Sequence, residues 1–408
     1  MPKYPVARRG PLLLLGPAFV AAIAYVDPGN VAANLTAGAR YGYLLLWVLI
    51  VANAIAVLVQ YQSAKLGIVT GRSLPELLGD RLKTGPRRLY WLQAELVAAA
   101  TDIAEVIGGA IALQLLFGLP LLLGGVIVGL ASMALLAIQT RRGQRSFELV
   151  IITLLAVILV GFVSGLFFTG TDAAAALAGI VPRFEGTDSV LLATSMLGAT
   201  VMPHVIYLHS ALTRDRHGLS TDRGRIRELL RATRIDVGAA LVIAGAINIA
   251  MLLLAASALR GVSGTDSIEG AHNAIVDALG PVIGVTFAIG LLASGLASTS
   301  VGTYAGSAIM GGLLKVQIPL LVRRVVTLIP ALVVLGIGFD PTRALVLSQV
   351  VLSFGIPFAL VPLVYLAGSK KLMGEFANAP WLRIAGWVST IAIVAINVLL
   401  IGLVIVGA

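Results

Sequence analysis

The sequence predicts an all-α polytopic membrane protein, and three observations carry that prediction. Hydrophobic residues make up 58% and charged residues 12% of 408, with a mean hydropathy of +0.99, a balance that water-soluble globular chains do not reach. Apolar runs of about 20 residues, the length that crosses a hydrocarbon core as helix, recur along the whole chain. Lys and Arg collect on alternate connecting segments, the asymmetry that sets orientation in a bilayer.

Eleven spans follow in order. The first, 12–38, starts after a tail holding Lys3, Arg8 and Arg9 and contains Asp27. It lacks an Ala-x-Ala cleavage site and is followed by further spans, so it reads as a permanent helix and not a removable signal. Spans 44–66 and 89–116 flank a basic loop, and the second of them carries Glu95, Asp102 and Glu105. Spans 119–139 and 147–169 meet at a basic turn around 141–145. Spans 189–212 and 236–258 enclose the basic loop 214–234, and 280–309 and 317–338 meet near Lys315, with Arg323 and Arg324 at the inner end of the latter. Spans 344–367 and 384–406 flank the segment 370–383. No soluble domain fits between them.

With the N-terminus cytoplasmic, the inner segments hold all of the 29 Lys and Arg except Arg40, Arg183, Arg260 and Arg343. The net charge of +10 therefore reflects positive-inside topology and not a nucleic-acid footprint. The expected location is the cell membrane, with the C-terminus outside. The outer loops carry Asp172, Glu185, Asp188, Asp266, Glu269, Asp277 and Asp340, an acidic face that concentrates cations weakly at physiological salt. The absence of Cys excludes disulfides, thiolate ligands and iron–sulfur chemistry.

The spans divide as five, five and one, with residues 1–170 as a first repeat, 186–368 as a second and 384–406 as an extra helix. Repeat transporters place their sites where corresponding helices of two inverted halves break near the midplane. Span one breaks at DPGN, 27–30, and span six breaks in LGATVMPHVIYLHSAL, at Gly198 and Pro203. Proline removes a backbone donor and leaves carbonyls unpaired where no water can reach them.

An intramembrane carboxylate is costly and marks a functional candidate; the reading counts Asp27, Glu95, Asp102 and Glu105. Asp27, the amide oxygen of Asn30 and freed carbonyls make an oxygen-rich cation site. Asp27 also reads as the cap of the short helix after the break. Met202, beside Pro203, adds a thioether, a soft ligand compatible with Mn²⁺ or Fe²⁺, and Ala199 offers a backbone carbonyl. His204 suits a proton-handling role near the site. His209 lies about 140° away on the same helix, so the two histidines do not form an i, i+4 metal pair. Glu95, Asp102 and Glu105 share an arc of about 80°. Two readings stand for them: a proton path, or a structural ion-pair network with Arg323 and Arg324. Gln349 and Asn248 are isolated polar residues that suit interhelical hydrogen bonds or ligation.

DPGN in the first span, MPH in the sixth, TDIAEVIG in the third and SQVVLSFGIPFALVP in the tenth closely resemble the Nramp family of divalent-metal transporters, over nearly the whole chain. The resemblance implies a LeuT-like fold of two inverted five-helix repeats plus an eleventh helix, and proton-coupled import of Mn²⁺ or Fe²⁺. It assigns Asp27, Asn30, Ala199 and Met202 to the metal, with Gln349 a conformation-dependent ligand. To protons it assigns Asp27, His204, Asp102 and Glu105 with Arg323 and Arg324. Met202 argues against the related magnesium transporters, which lack this methionine. No resident cofactor is expected, the metal being cargo, and a monomer is expected to suffice. The rival readings are a sodium-coupled amino-acid carrier of the same architecture and a passive metal channel. A membrane-embedded hydrolase is disfavoured because no GxGD pair, serine-centred motif or HExxH occurs, so no enzyme activity is expected.

Overall fold

The computed structural model describes residues 16–265 and 267–406; Lys3, Arg8, Arg9 and Asp266 lie outside the described residues. Among these, every regular element is helical. In chain order they are α1 (Pro17–Ile23), α2 (Pro28–Tyr41), α3 (Leu46–Thr70), α4 (Leu74–Arg81), α5 (Thr84–Phe117), α6 (Leu121–Arg142), α7 (Gln144–Val163), α8 (Ala173–Ala178), α9 (Gly186–Thr200), α10 (Pro203–His217), α11 (Arg223–Ala258), α12 (Ile268–Leu279), α13 (Pro281–Leu314), α14 (Leu320–Gly336), α15 (Pro341–Ala367), α16 (Lys370–Met373) and α17 (Pro380–Val406).

Among the described residues nine helical stretches are long and apolar enough to cross a membrane. The other two expected spans differ in a physically interpretable way. The first is divided into α1, a 3₁₀ turn Ala24–Val26 and α2. The ninth begins only at Leu320, after Pro319, so α14 has 17 residues. Segments expected to be loops contain the short helices α4, α8, α12 and α16. The start of α4 is sealed by a reciprocal cap in which Ser73 accepts from the Glu76 backbone and Glu76 accepts from that of Ser73, the arrangement that satisfies two orphan donors at once.

Packing places the broken segments at the centre. α1 and α2 lie against α11, α9 against α15, α10 against α3, and α13 along α5 and α7. One large apolar cluster joins α1, α2, α5, α11 and α13, including Val20, Val31, Ile107, Met251 and Leu291. By contrast, α17 leaves Ile391, Val398 and Val404 exposed, the outward apolar face expected of a helix in lipid. A protein interior this full of polar breaks needs partners for each of them.

Candidate metal centre

Both breaks follow from one local rule. A residue preceding proline is pushed out of the α region by the pyrrolidine ring, and Asp27 precedes Pro28 as Met202 precedes Pro203. Asp27 accordingly adopts φ −69°, ψ 164° and Met202 φ −34°, ψ 118°. Each proline then takes the first position of the next helix, where a missing N–H costs nothing. Gly198 is a correction to the sequence reading: it lies inside α9, and the interruption falls at Val201 and Met202. Its function is contact, because a Cβ there would stand 2.0 Å from the Gln349 carbonyl oxygen.

The carboxylate of Asp27 is fully buried. Its Oδ1 accepts from the Asn30 backbone at 2.8 Å, capping α2, and its Oδ2 accepts from Gln349 Nε2 at 3.2 Å. Gly29 permits the second contact, since a Cβ there would lie 1.8 Å from Gln349 Nε2. Asn30 spans the two breaks: its Nδ2 donates to Tyr25 O at 2.5 Å and to Ala199 O at 3.3 Å. Met202 is buried at the second break. Thus Asp27, Asn30, Ala199 and Gln349 form one hydrogen-bonded group, with Met202 three residues beyond Ala199.

The carbonyls freed by the first break are not left bare. Tyr25 O also accepts from Asn248 Nδ2 at 2.8 Å, and Val26 O from Ser294 Oγ at 2.5 Å. Asn34 Nδ2 links Asn30 Oδ1 at 3.1 Å to Asn248 Oδ1 at 3.2 Å. These partners anchor the break to α11 and α13, and Asn248 acts through interhelical hydrogen bonds. Among the described residues no group of three or more His, Asp or Glu gathers as a metal cluster. Within this group Asp27 presents a carboxylate and Ala199 a backbone carbonyl, while the Asn30 and Gln349 amides turn their NH2 ends toward them.

The third-span acids separate. Arg323 donates to Glu95 at 2.5 Å, and Arg324 pairs with Asp102 while its Nε donates to Ser132 Oγ at 2.7 Å. Glu105, fully buried, has no salt bridge among the described residues. Thr299 Oγ1 donates to Asp102 at 2.9 Å. His204 is buried next to Thr101, with Nδ1 3.4 Å from the Thr101 hydroxyl and Nε2 without a partner among the described residues.

Sequence reasoning missed two buried carboxylates and one polar relay. Asp236 in α11 accepts from the Gly16 and Ala18 backbones, both at 3.0 Å, and so caps the start of α1. Glu148 in α7 is buried beside Arg145 at 3.2 Å and Arg216 at 3.8 Å. Both fall at the very start of an expected span, 236–258 and 147–169, where a carboxylate reads as belonging to the flanking loop. His209 Nδ1 lies 2.8 Å from Gln60 Oε1, and Gln60 Nε2 donates to the Tyr25 hydroxyl. The signal available was the polar group Gln60, Gln62 and Ser63 within the last turns of the expected span 44–66. On the opposite side, a cavity of about 700 Å³ is lined by Thr36, Arg40, Asp188, Asp340 and Arg343, at the ends of α2, α9 and α15.

Two interrupted helices with facing polar groups, packed inside a polytopic helical bundle, define a membrane carrier of LeuT-like architecture. The fold alone is shared with MhsT, solved with L-phenylalanine, at a TM-score of 0.64 and 16% identity, covering 93% of this chain and 97% of that one. The chain belongs to the Nramp family: residues 18–403 match the description natural resistance-associated macrophage protein-like. It is 60% identical over 394 residues to the divalent metal cation transporter MntH of Mycobacterium tuberculosis, covering 97% of this chain and 92% of that protein. It also resembles the crystal structure of the Eremococcus coleocola manganese transporter, with a TM-score of 0.86 and 31% identity over 98% of this chain and 88% of that one. The family is one of transporters and not of enzymes.

Proposed function

We propose that this chain imports a divalent transition metal, Mn²⁺ or Fe²⁺, into the cytoplasm by alternating access coupled to protons. The observation that carries the reading is the hydrogen-bonded meeting of the two breaks through Asn30, Asp27, Ala199 and Gln349. The 60% identity to a named divalent metal cation transporter supports the substrate class.

In this reading the metal enters through the outer cavity, where Asp188 and Asp340 favour cations over anions. It binds Asp27 and the Ala199 carbonyl, with the Asn30 amide turned so that Oδ1 faces the ion; the flipped amide has the same shape. Gln349 exchanges its contact with Asp27 for the ion or releases it as α15 moves. Met202 supplies a polarisable sulfur that Ca²⁺ and Mg²⁺, which prefer oxygen, do not reward. Rocking of one bundle against the other, built from two inverted five-helix repeats at 1–170 and 186–368 with 384–406 outside them, exposes the site inward. Metal binding to a carboxylate displaces its proton, which links the two ions at Asp27. His204, Asp102 and Glu105, with Glu95, Arg323 and Arg324, form the route by which that proton leaves.

The basic segments are cytoplasmic and the C-terminus is outside, and a monomer suffices. The deciding experiment is Mn²⁺ uptake into proteoliposomes under an imposed pH gradient. Uphill accumulation is expected. Flux that only follows the metal gradient would instead favour a passive channel.

A further inference from the structure

A second cavity, of about 820 Å³, lies between the basic end of α3, the start of α11 and the segment 375–382. We propose that it holds one anionic phospholipid, with the phosphate at Arg234 and Lys65 and an acyl chain along Val57, Leu58 and Val237.

The charges are arranged for a single negative group. Arg234 is exposed; its Nε donates to the Tyr61 hydroxyl at 3.2 Å and its guanidinium lies 5.3 Å from the centre of that ring. Among the described residues no carboxylate pairs with it. Lys65 is only 6% exposed, and its Nζ donates to Asn378 Oδ1 at 2.9 Å, again without a carboxylate among the described residues. The one acid lining the cavity, Glu375, is already engaged by Arg223 at 3.1 Å and Arg227 at 2.8 Å. Stacking on Tyr61 fixes the Arg234 fork while leaving N–H donors free, and guanidinium groups suit phosphate oxygens for that reason.

The surroundings specify a lipid and not a soluble anion. The remaining wall is mostly apolar, with Val57, Leu58 and Val237 lining it together with Trp381. Trp381 is 67% exposed at the start of α17, and an exposed Trp with a neighbouring Tyr is the side-chain pair that settles at a membrane–water boundary. Basic pockets between spans on the positive side of a membrane protein take anionic headgroups.

The test is native mass spectrometry of the purified full chain after exchange into equal amounts of phosphatidylglycerol or phosphatidylcholine. One retained phosphatidylglycerol is expected, with little phosphatidylcholine. Arg234→Ala should reduce occupancy about fivefold, the effect of one basic contact at a membrane surface. Arg231→Ala, which removes an exposed arginine of the same helix that does not line the cavity, should not. Val57→Trp keeps both charges and fills the slot, so it should also lose the lipid; this arm stands even if Arg234→Ala folds poorly. Equal retention of the two lipids, equal loss in the two arginine variants, or displacement by millimolar inorganic phosphate alone would each overturn the proposal.

Discussion

Gln349 Nε2 donates to Asp27 Oδ2 across 3.2 Å, tying the middle of α15 to the break in the first span. The same residue is pressed from the other side by Gly198, whose missing Cβ leaves room for the Gln349 carbonyl. Gln349 therefore sits between the first break and α9, the helix that ends at the second break.

Gly198→Ala tests that wedge. The added carbon would meet backbone oxygen at 2.0 Å, which cannot rotate away, so α9 and α15 must separate. Overpacking of this kind costs about 1–3 kcal/mol. A lower thermal midpoint with weakened Mn²⁺ binding by calorimetry is expected; unchanged values in both would refute the close fit.

Asp27 has two roles that one pair of substitutions separates. Asp27→Asn keeps a side-chain oxygen able to cap α2 but removes the charge, whereas Asp27→Ala removes both. Both should abolish Mn²⁺ uptake in proteoliposomes, and only Asp27→Ala should also lose about 1 kcal/mol of stability through the cap. Undiminished Mn²⁺ flux in either variant sinks the assignment.

Met202 is predicted to select among ions. Met202→Ala should keep Mn²⁺ binding and lose discrimination against Ca²⁺ and Mg²⁺. Because removing a buried methionine side chain itself costs about 2–5 kcal/mol, Met202→Leu serves as the volume-conserving control. It should behave like the alanine variant in competition uptake, and retention of discrimination by Leu would show that sulfur is not the selective atom.

How much of this was legible depended on whether a signal was local. Asp27 and Asn30 stand out as polar residues in an apolar run, and Pro28 and Pro203 each dictate the conformation of the residue before them, so both breaks are written in the sequence. The pairing of Arg324 with Asp102 and of Arg323 with Glu95 was legible as one of two alternatives, since helical spacing gives a shared face but not its partner. The insertion of Gln349 between Gly29 and Gly198 depends on three distant segments meeting and leaves no periodic trace. Asp236 reads in sequence as the edge of a span and is a cap for α1, a role that leaves no local trace because the donors it serves are more than 200 residues away. Gly198 misled for the opposite reason: glycine near a break suggests an interruption, and here it permits a contact.

The loop before α5 gives a pH prediction. Burial pushes the Glu76 carboxyl upward, but the Ser73 backbone N–H and the Arg214 guanidinium at 2.6 Å outweigh it, leaving it below the ordinary glutamate value. A depressed carboxylate adds stability that is complete above the unfolded value and is lost as pH falls through the folded one. Hydrogen exchange at the first turn of α4, once corrected for the intrinsic pH dependence of amide exchange, should therefore be flat near neutrality and accelerate only below about pH 4.5. In Glu76→Gln that acid-induced acceleration should disappear; its persistence would place the titrating group elsewhere.

Asp102 and Arg324 decide between the two readings of the third-span acids. Both are buried, and Arg324 also donates to Ser132. Arg324→Met leaves a buried carboxylate without its partner, a defect that costs about 3–5 kcal/mol, so the thermal midpoint should drop sharply. Adding Asp102→Leu removes the stranded charge, and replacing both members of a buried pair by apolar groups is often neutral in stability. The double variant is therefore expected to recover its midpoint. Transport then separates the readings. If Asp102 carries protons away from Asp27, the stable double variant should still bind Mn²⁺ but fail to accumulate it under an imposed pH gradient. If the pair only holds α5 to α14, gradient-driven accumulation should return together with stability, and the proton route proposed through Asp102 would be wrong.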